Sequence, residues 1–233
     1  MRNVSVTFSR VEALHNACVT IRSGKVLGIL GNGGAGKTTL VKALVGLVPI
    51  ESGEIYLDGQ VAGFRSPADT RKHGIEVMYQ DLALLDHLSI ARNFFAGREP
   101  LTGRRPFRRL VHRDLVRWTD EIFDRLGMSE LPPPDFPVSK LSGAQRQLLA
   151  VARAVHFATR VLILDEPTAS LSDNQVDIVL SLIDKARNAG IAVVFVTHKA
   201  YEVFSVADEF VVVDKGRTIV ESRREETSLK ELE

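Results

Sequence analysis

Gly31-Asn32-Gly33-Gly34-Ala35-Gly36-Lys37-Thr38 sets glycines, a lysine and a hydroxyl at the spacing G-x-x-x-x-G-K-[ST]. That spacing is the pattern of a phosphate-binding loop. Glycines let consecutive backbone N–H groups turn inward around a polyphosphate. A helix opening at Thr38-Thr39 points its unpaired N–H groups and partial positive charge at the same phosphates. Lys37 adds a full positive charge for the β- and γ-phosphates, and the Thr38 hydroxyl can ligate Mg²⁺. The bland alternative is a glycine turn that only joins strand to helix. The apolar run Val26–Leu30 in front and the helix formers Leu40, Val41, Ala43 and Leu44 behind favour a bound nucleotide instead.

A second signal ends the apolar run Val161-Leu162-Ile163-Leu164. Asp165, at the end of a buried strand beside a phosphate loop, can hold Mg²⁺ through water. Glu166, one residue on, can act as general base or orient an attacking water. The alternative is a carboxylate pair that caps the next helix, which a phosphate loop in the same chain weakens. A third run, Leu141-Ser142-Gly143-Ala144-Gln145-Arg146-Gln147, offers Ser142 as N-cap and Gln145 three residues later, a capping box. Taken alone, it is a well-capped helix.

Such residues need a rigid frame. Val26–Leu30, Ile75–Tyr79, Val161–Asp165 and Ile191–Val196 read as buried strands, apolar on successive positions. Alternation at Val4, Val6 and Phe8, and again at Ala17, Val19 and Ile21, predicts half-buried strands. Glu54–Leu57, bracketed by Ser52-Gly53 and Asp58-Gly59, predicts an antiparallel hairpin. Phe210–Val213 and Thr218–Glu221 pair around Lys215-Gly216. Helices are expected from Thr38 to Gly46, from Ser66-Pro67 to Gly74, from Ser89 to Phe95, over Asp173–Asn188 and over Lys199–Val206. Val111, Leu115, Trp118, Ile122 and Leu126 share one helical face, closed by Gly127. Pro132-Pro133-Pro134 and Pro137 stiffen a linker. The expected fold is α/β, a mainly parallel core sheet with an antiparallel flank. Residues 1–81 and 159–233 form its body, and 82–158 a helical lobe inserted into it.

The 233 residues carry 30 basic and 29 acidic side chains, a net charge of +1. That balance gives no global field for nucleic acid or an anionic membrane, so neither is an expected partner. The single Cys18 excludes an intrachain disulfide, and a small buried apolar residue is its expected role. No run of about 20 apolar residues spans a bilayer, and Met1–Phe8 alternates instead of forming a signal block.

In this order the phosphate loop, the Leu141–Gln147 run and the Val161–Glu166 strand resemble the ATPases of ABC transporters, over nearly the whole chain. The resemblance implies the P-loop NTPase fold of that family, with ATP and Mg²⁺ as ligands. It places Phe8 where an aromatic stacks on adenine; the strand pattern equally makes Phe8 an inward-facing residue. It places Gln80 on the glutamine that reaches Mg²⁺ and the water, and His198 on the switch histidine at the γ-phosphate. It implies that Ser142, Gly143, Ala144 and Gln145 of a second copy close the nucleotide site, so a homodimer is expected. Ala169-Ser170-Leu171-Ser172 falls on the loop that crosses to that copy. Ser172 stands where the family usually has aspartate, and Ala144 where it usually has a second glycine.

Within the superfamily the chain is most similar to ATP-binding subunits of bacterial simple-sugar importers. Phe64-Arg65-Ser66-Pro67, Tyr79–Leu84, Asn93–Glu99 and Ala154–Phe157 carry that likeness. It implies membrane permease subunits as partners and, through them, an extracytoplasmic solute-binding protein. It also implies a cytoplasmic place on the inner face of the cell membrane. Arg98, Arg104, Arg105, Arg108, Arg109, Arg113 and Arg117 offer a contact for a permease loop or headgroups, though a solvated face is favoured. Two rivals share the phosphate loop: a soluble ABC-type ATPase without a transporter, and a small-molecule kinase.

Overall fold

The strand at Val26–Leu30 is buried at all five positions and lies between two other parallel strands, so both of its faces meet core. The structure, a computed structural model, describes residues 1–9, 11–100 and 111–232. In chain order its elements are β1 (Arg2–Phe8), β2 (Val11–Ala17), β3 (Val26–Leu30), α1 (Lys37–Leu44), β4 (Ser52–Glu54), β5 (Tyr56–Leu57) and β6 (Gln60–Val61). Then come α2 (Pro67–Lys72), β7 (Ile75–Met78), α3 (Ile90–Phe94), α4 (His112–Leu126), α5 (Gly143–Phe157), β8 (Val161–Asp165) and α6 (Asp173–Asn188). The last are β9 (Ala192–Val196), α7 (Ala200–Val206), β10 (Glu209–Asp214), β11 (Arg217–Arg223) and α8 (Leu229–Leu232).

The main sheet runs β11-β10-β3-β9-β8-β7. Its five strands from β10 to β7 are parallel, and β11 adds an antiparallel edge. A separate antiparallel sheet, β2-β1-β4, forms the flank, and β5-β6 is a short hairpin. This is the expected α/β architecture. Side chains alternate across the main sheet. Val26, Leu30, Leu162, Leu164, Val193 and Phe195 face one cluster, which continues without a break into α3, α4, α5, α6 and α7. Leu27, Ile29, Ile163, Val194 and Val196 face the other, shared with α1 and the flanking sheet. Gly28 marks where α7 lies against β3: a Cβ there would sit 2.0 Å from Val203 Cγ1.

Three local expectations shift. The second strand is Val11–Ala17, upstream of the predicted Ala17–Ile21. The cause is an irregular pairing in which Val4 faces Ala17 but Val6 faces Leu14. Asn16, at φ +46°, takes up the extra residue, so buried positions fall at Leu14 and Ala17 and the period of two is lost. Buried Ile55 separates β4 from β5, so Glu54–Leu57 is not one strand. Cys18 is only partly buried, its sulfur accepting from the Asn3 N–H at 3.3 Å.

The helix caps follow the sequence closely. Ser89 Oγ accepts from the Arg92 N–H, Pro67 opens α2, and Gly127 closes α4 at φ +79°. The proline-rich stretch is docked: Pro134 C=O accepts from Ala91 N–H, and Pro133 C=O from Phe136 N–H. Of the arginine run, Arg104, Arg105, Arg108 and Arg109 lie outside the described residues. Arg98 pairs with the buried Glu76. Arg117 lies near Asp114 and Glu121 on its own helix, as on a solvated face. Among the described residues, no helix is long and apolar enough to cross a membrane.

Candidate functional site

Gly36 stands at the N-cap of α1, its φ of +108° belongs to glycine, and no side chain caps the helix. Its first N–H groups are therefore available to a ligand. A Cβ on Gly36 would also meet the Ala13 carbonyl at 2.9 Å, so any side chain would push β2 away. Lys37 is 8% exposed and folds back over the loop. Its Nζ donates to the carbonyls of Gly31 at 2.6 Å and Asn32 at 3.1 Å, and lies 3.9 Å from Glu166 Oε1. The ammonium thus stands where a phosphate would take over its donors.

Strand β8 delivers the acids. Asp165 is fully buried, and neither carboxylate oxygen has a hydrogen-bond partner. Burial pushes its carboxyl up from the usual carboxylate value; the Thr38 hydroxyl is close enough to oppose this, though not in bonding geometry. A buried carboxylate without a partner is costly, and a cation is the natural counter-group. With a facing hydroxyl, the donors are all oxygen, which suits Mg²⁺.

Glu166 adopts φ +53°, a left-handed backbone uncommon for a residue with a side chain. Its N–H donates to the Val196 carbonyl at 2.8 Å, and its own carbonyl accepts from Gln147 Nε2 at 2.8 Å. Its carboxylate lies 3.0 Å from His198 Nδ1, and Thr197 Oγ1 donates to it at 3.3 Å. An ionised carboxylate only accepts, so Nδ1 carries the proton and Nε2 is the free nitrogen. His198 follows β9, and α7 after it is fixed by a buried carboxylate: Glu202 accepts from Thr168 Oγ1 and Lys199 Nζ.

These groups border an open cleft of about 920 Å³ at the carboxyl ends of the parallel strands. Asn32 through Thr39 line it, together with Gln80, Glu166 and His198. Gly31 and Asp165 stand just behind that lining. Phe8 does not line the cleft and is 46% exposed. It pairs with Val11 across the β1–β2 ladder, and Val11 is the residue that faces the space. His15 and Lys215 also border it, with no motif to announce them. They arrive through Gly216, at φ +77°, whose C=O accepts from His15 N–H and whose N–H donates to Ala35 C=O. Lys215-Gly216 was legible as a turn but not as a wall.

Ser142, Gly143, Ala144 and Gln145 do not line this cleft. They form the exposed start of α5, with the capping box in place: Ser142 Oγ accepts from Gln145 N–H and Gln145 Oε1 from Ser142 N–H, both at 3.1 Å. Ala144 is helical, so replacing glycine there costs no left-handed strain. Ser172 precedes α6, and its N–H donates to Gln175 Oε1 at 3.1 Å.

The sequence profile of the ABC transporter family matches residues 14–169. The chain belongs to that family. Its ABC-type relatives include a xylose/arabinose import ATP-binding protein of Sulfolobus acidocaldarius, 37% identical over this whole chain and 90% of that protein. A galactose/methyl galactoside import ATP-binding protein of Photobacterium profundum is 33% identical over the whole chain but 46% of its own length. A ribose import ATP-binding protein of Rhodopirellula baltica is 36% identical over 92% of this chain and 41% of its own. The chain thus spans less than half the length of the latter two. A dimeric bacterial ABC transporter cassette superposes with a TM-score of 0.80 at 22% identity, covering 96% of this chain and 97% of the other. An ADP-bound cassette gives 0.80 at 22% identity, covering 99% and 91%. The fold is that of an ABC cassette.

Proposed function

We propose that this chain binds and hydrolyses MgATP as the ATP-binding subunit of an ABC importer for a small solute, a monosaccharide. One observation carries the chemistry: Lys37, Glu166 and His198 converge on one cleft, with Asp165 buried behind it. The import ATP-binding relatives at 33–37% identity support the assignment to sugar uptake.

Phosphoryl transfer asks mainly for positioning and charge stabilisation. The loop N–H groups and Lys37 hold the β- and γ-phosphates. Glu166 accepts the proton of the attacking water, and His198, held by its Nδ1–H against Glu166, donates from Nε2 to the γ-phosphate as the imidazolium. Thr38, Gln80 and Asp165 would hold Mg²⁺, which would neutralise charge on the phosphoryl oxygens. Ser142, Gly143, Ala144 and Gln145 of a second copy close the open side. The dimeric cassette of the same fold supports that arrangement. Permease subunits convert closing and opening into alternating access, which keeps the chain on the inner face of the cell membrane. An extracytoplasmic solute-binding protein supplies the cargo.

The test is sedimentation of the purified chain in MgATP, beside Ser142→Arg. Dimers in the parent and monomers in the variant are expected. A Ser142→Arg chain that dimerises and hydrolyses ATP like the parent overturns the shared site. ATP hydrolysis that a cognate permease leaves unchanged, or a phosphorylated sugar product, overturns the transport assignment.

A further inference from the structure

Helix α5 carries two things at once. Its N-terminus is Ser142–Gln145, with Ser142 and Gly143 exposed and Ala144 and Gln145 half-buried, and Gln147, less than one turn further on, is buried. Gln147 points the other way, into the body, where its Nε2 donates to the Glu166 carbonyl at 2.8 Å. That carbonyl belongs to the one residue whose conformation the chemistry depends on. Glu166 holds a left-handed backbone, and such conformations persist only where surrounding bonds over-determine them. Three bonds do so here. The Val196 carbonyl, on the neighbouring strand, holds the N–H side, while Gln147 at 2.8 Å and the Ala169 N–H at a longer 3.4 Å hold the C=O side. The Val196 and Ala169 contacts are main-chain bonds that any sequence supplies. The shortest bond to the carbonyl depends on a side chain from a distant helix.

We propose that Gln147 is a positioning residue that ties the start of α5 to Glu166, so that nucleotide held by α5 of one copy sets the hydrolytic carboxylate of that same copy. The proposal rests on the shared-site dimer and deepens it. A helix rises 1.5 Å per residue, so Gln147 lies only about 3 Å along the axis from Gln145 and shares its hydrogen-bonded turn, which couples a displacement at Ser142–Gln145 to Gln147. Among the described residues Gln147 has no other polar partner, and its amide spans the gap between helix and loop. Losing that donor leaves the Glu166 carbonyl only the longer bond from the Ala169 N–H, and the backbone can relax toward an ordinary conformation that swings the carboxylate away from His198. Occupancy of the partner's nucleotide is then no longer felt at this copy's Glu166.

The experiment compares the parent chain with Gln147→Met, which keeps length and helix propensity but cannot donate. Gln147→His, whose Nε2–H reaches a similar distance, is the rescue variant. Melting temperature, ATP affinity by calorimetry, MgATP-driven dimerisation and steady-state hydrolysis are measured on each. In Gln147→Met, kcat falls about tenfold with KM for ATP within twofold, as expected for one lost hydrogen bond acting on the reacting geometry. Its Hill coefficient for ATP falls toward one while dimerisation persists, and Gln147→His recovers both. A folded Gln147→Met with parental kcat and Hill coefficient overturns the proposal. So does one whose rate falls only in step with lost dimer, since a merely structural residue would do that. A parent chain that hydrolyses ATP without dimerising overturns the shared-site dimer itself, and with it this proposal, and is recognised before any variant is made.

Discussion

Glu166 and His198, 32 residues apart, meet with His198 Nδ1 3.0 Å from Glu166 Oε2. The contact fixes both partners. It sets the imidazole tautomer and turns one edge of the carboxylate away from bulk water. Thr197 Oγ1 donates to the same oxygen, so the acid is held in place before any substrate enters.

Glu166→Gln keeps the shape of this pair but cannot accept a proton. ATP affinity should be retained and turnover should fall by about 10²–10⁴-fold, the usual worth of a positioned general base. Calorimetry and a phosphate-release assay on the same preparation separate the two. Normal turnover would remove Glu166 from its role.

Lys37 Nζ donates to the carbonyls of Gly31 and Asn32, bonds that a phosphate could replace. Lys37→Ala removes a charge-assisted contact, and ATP affinity should weaken by about 10–100-fold. Titration calorimetry with ATP checks this. Unchanged affinity would contradict the phosphate-loop assignment.

Asp165 presents two buried oxygens without partners. Asp165→Asn removes a buried charge that no described residue hydrogen-bonds. The variant should melt a few degrees higher than the parent in EDTA, since relieving an unpaired buried charge is stabilising. The extra stabilisation that Mg²⁺ adds on top of ATP should disappear. Thermal melts with ATP plus EDTA and with ATP plus Mg²⁺ decide it. A parent and a variant that respond alike to Mg²⁺ would exclude Asp165 as a cation ligand.

His156 packs against Phe94 and Phe157, and Arg125 Nη2 lies 3.0 Å from its Nδ1. Burial first, and then the Arg125 and Arg98 guanidinium groups, hold its pKa below 6.5. The folded chain therefore keeps it neutral while the unfolded chain takes up a proton. Stability is full above pH 6.5, falls as the pH drops through 6.5, and levels off once the pH passes below the folded-state value. His156→Gln should melt with a shallower pH dependence over that window. An identical pH profile in parent and variant would sink the prediction.

What could be seen in the sequence was local. A phosphate loop is a run of eight residues whose spacing states its own chemistry. The caps at Ser66-Pro67, Ser89 and Ser142 depend on neighbours three or four positions away. The strands β3, β7, β8 and β9 are apolar at nearly every position because both their faces are covered. The second strand escaped for the opposite reason: Asn16 takes up an extra residue, and the alternation that reveals a half-buried strand breaks there.

The chain's residue order therefore determined that a nucleotide binds, which strand ends hold the acids, and which family the chain resembles. Tertiary structure decided what surrounds those residues. Gln147 reaches Glu166 from another helix, and His15 meets Gly216 across 201 positions. Val11, rather than Phe8, faces the cleft. Such contacts depend on how helices and sheets pack, and packing direction leaves no spacing in the sequence that a local pattern can expose.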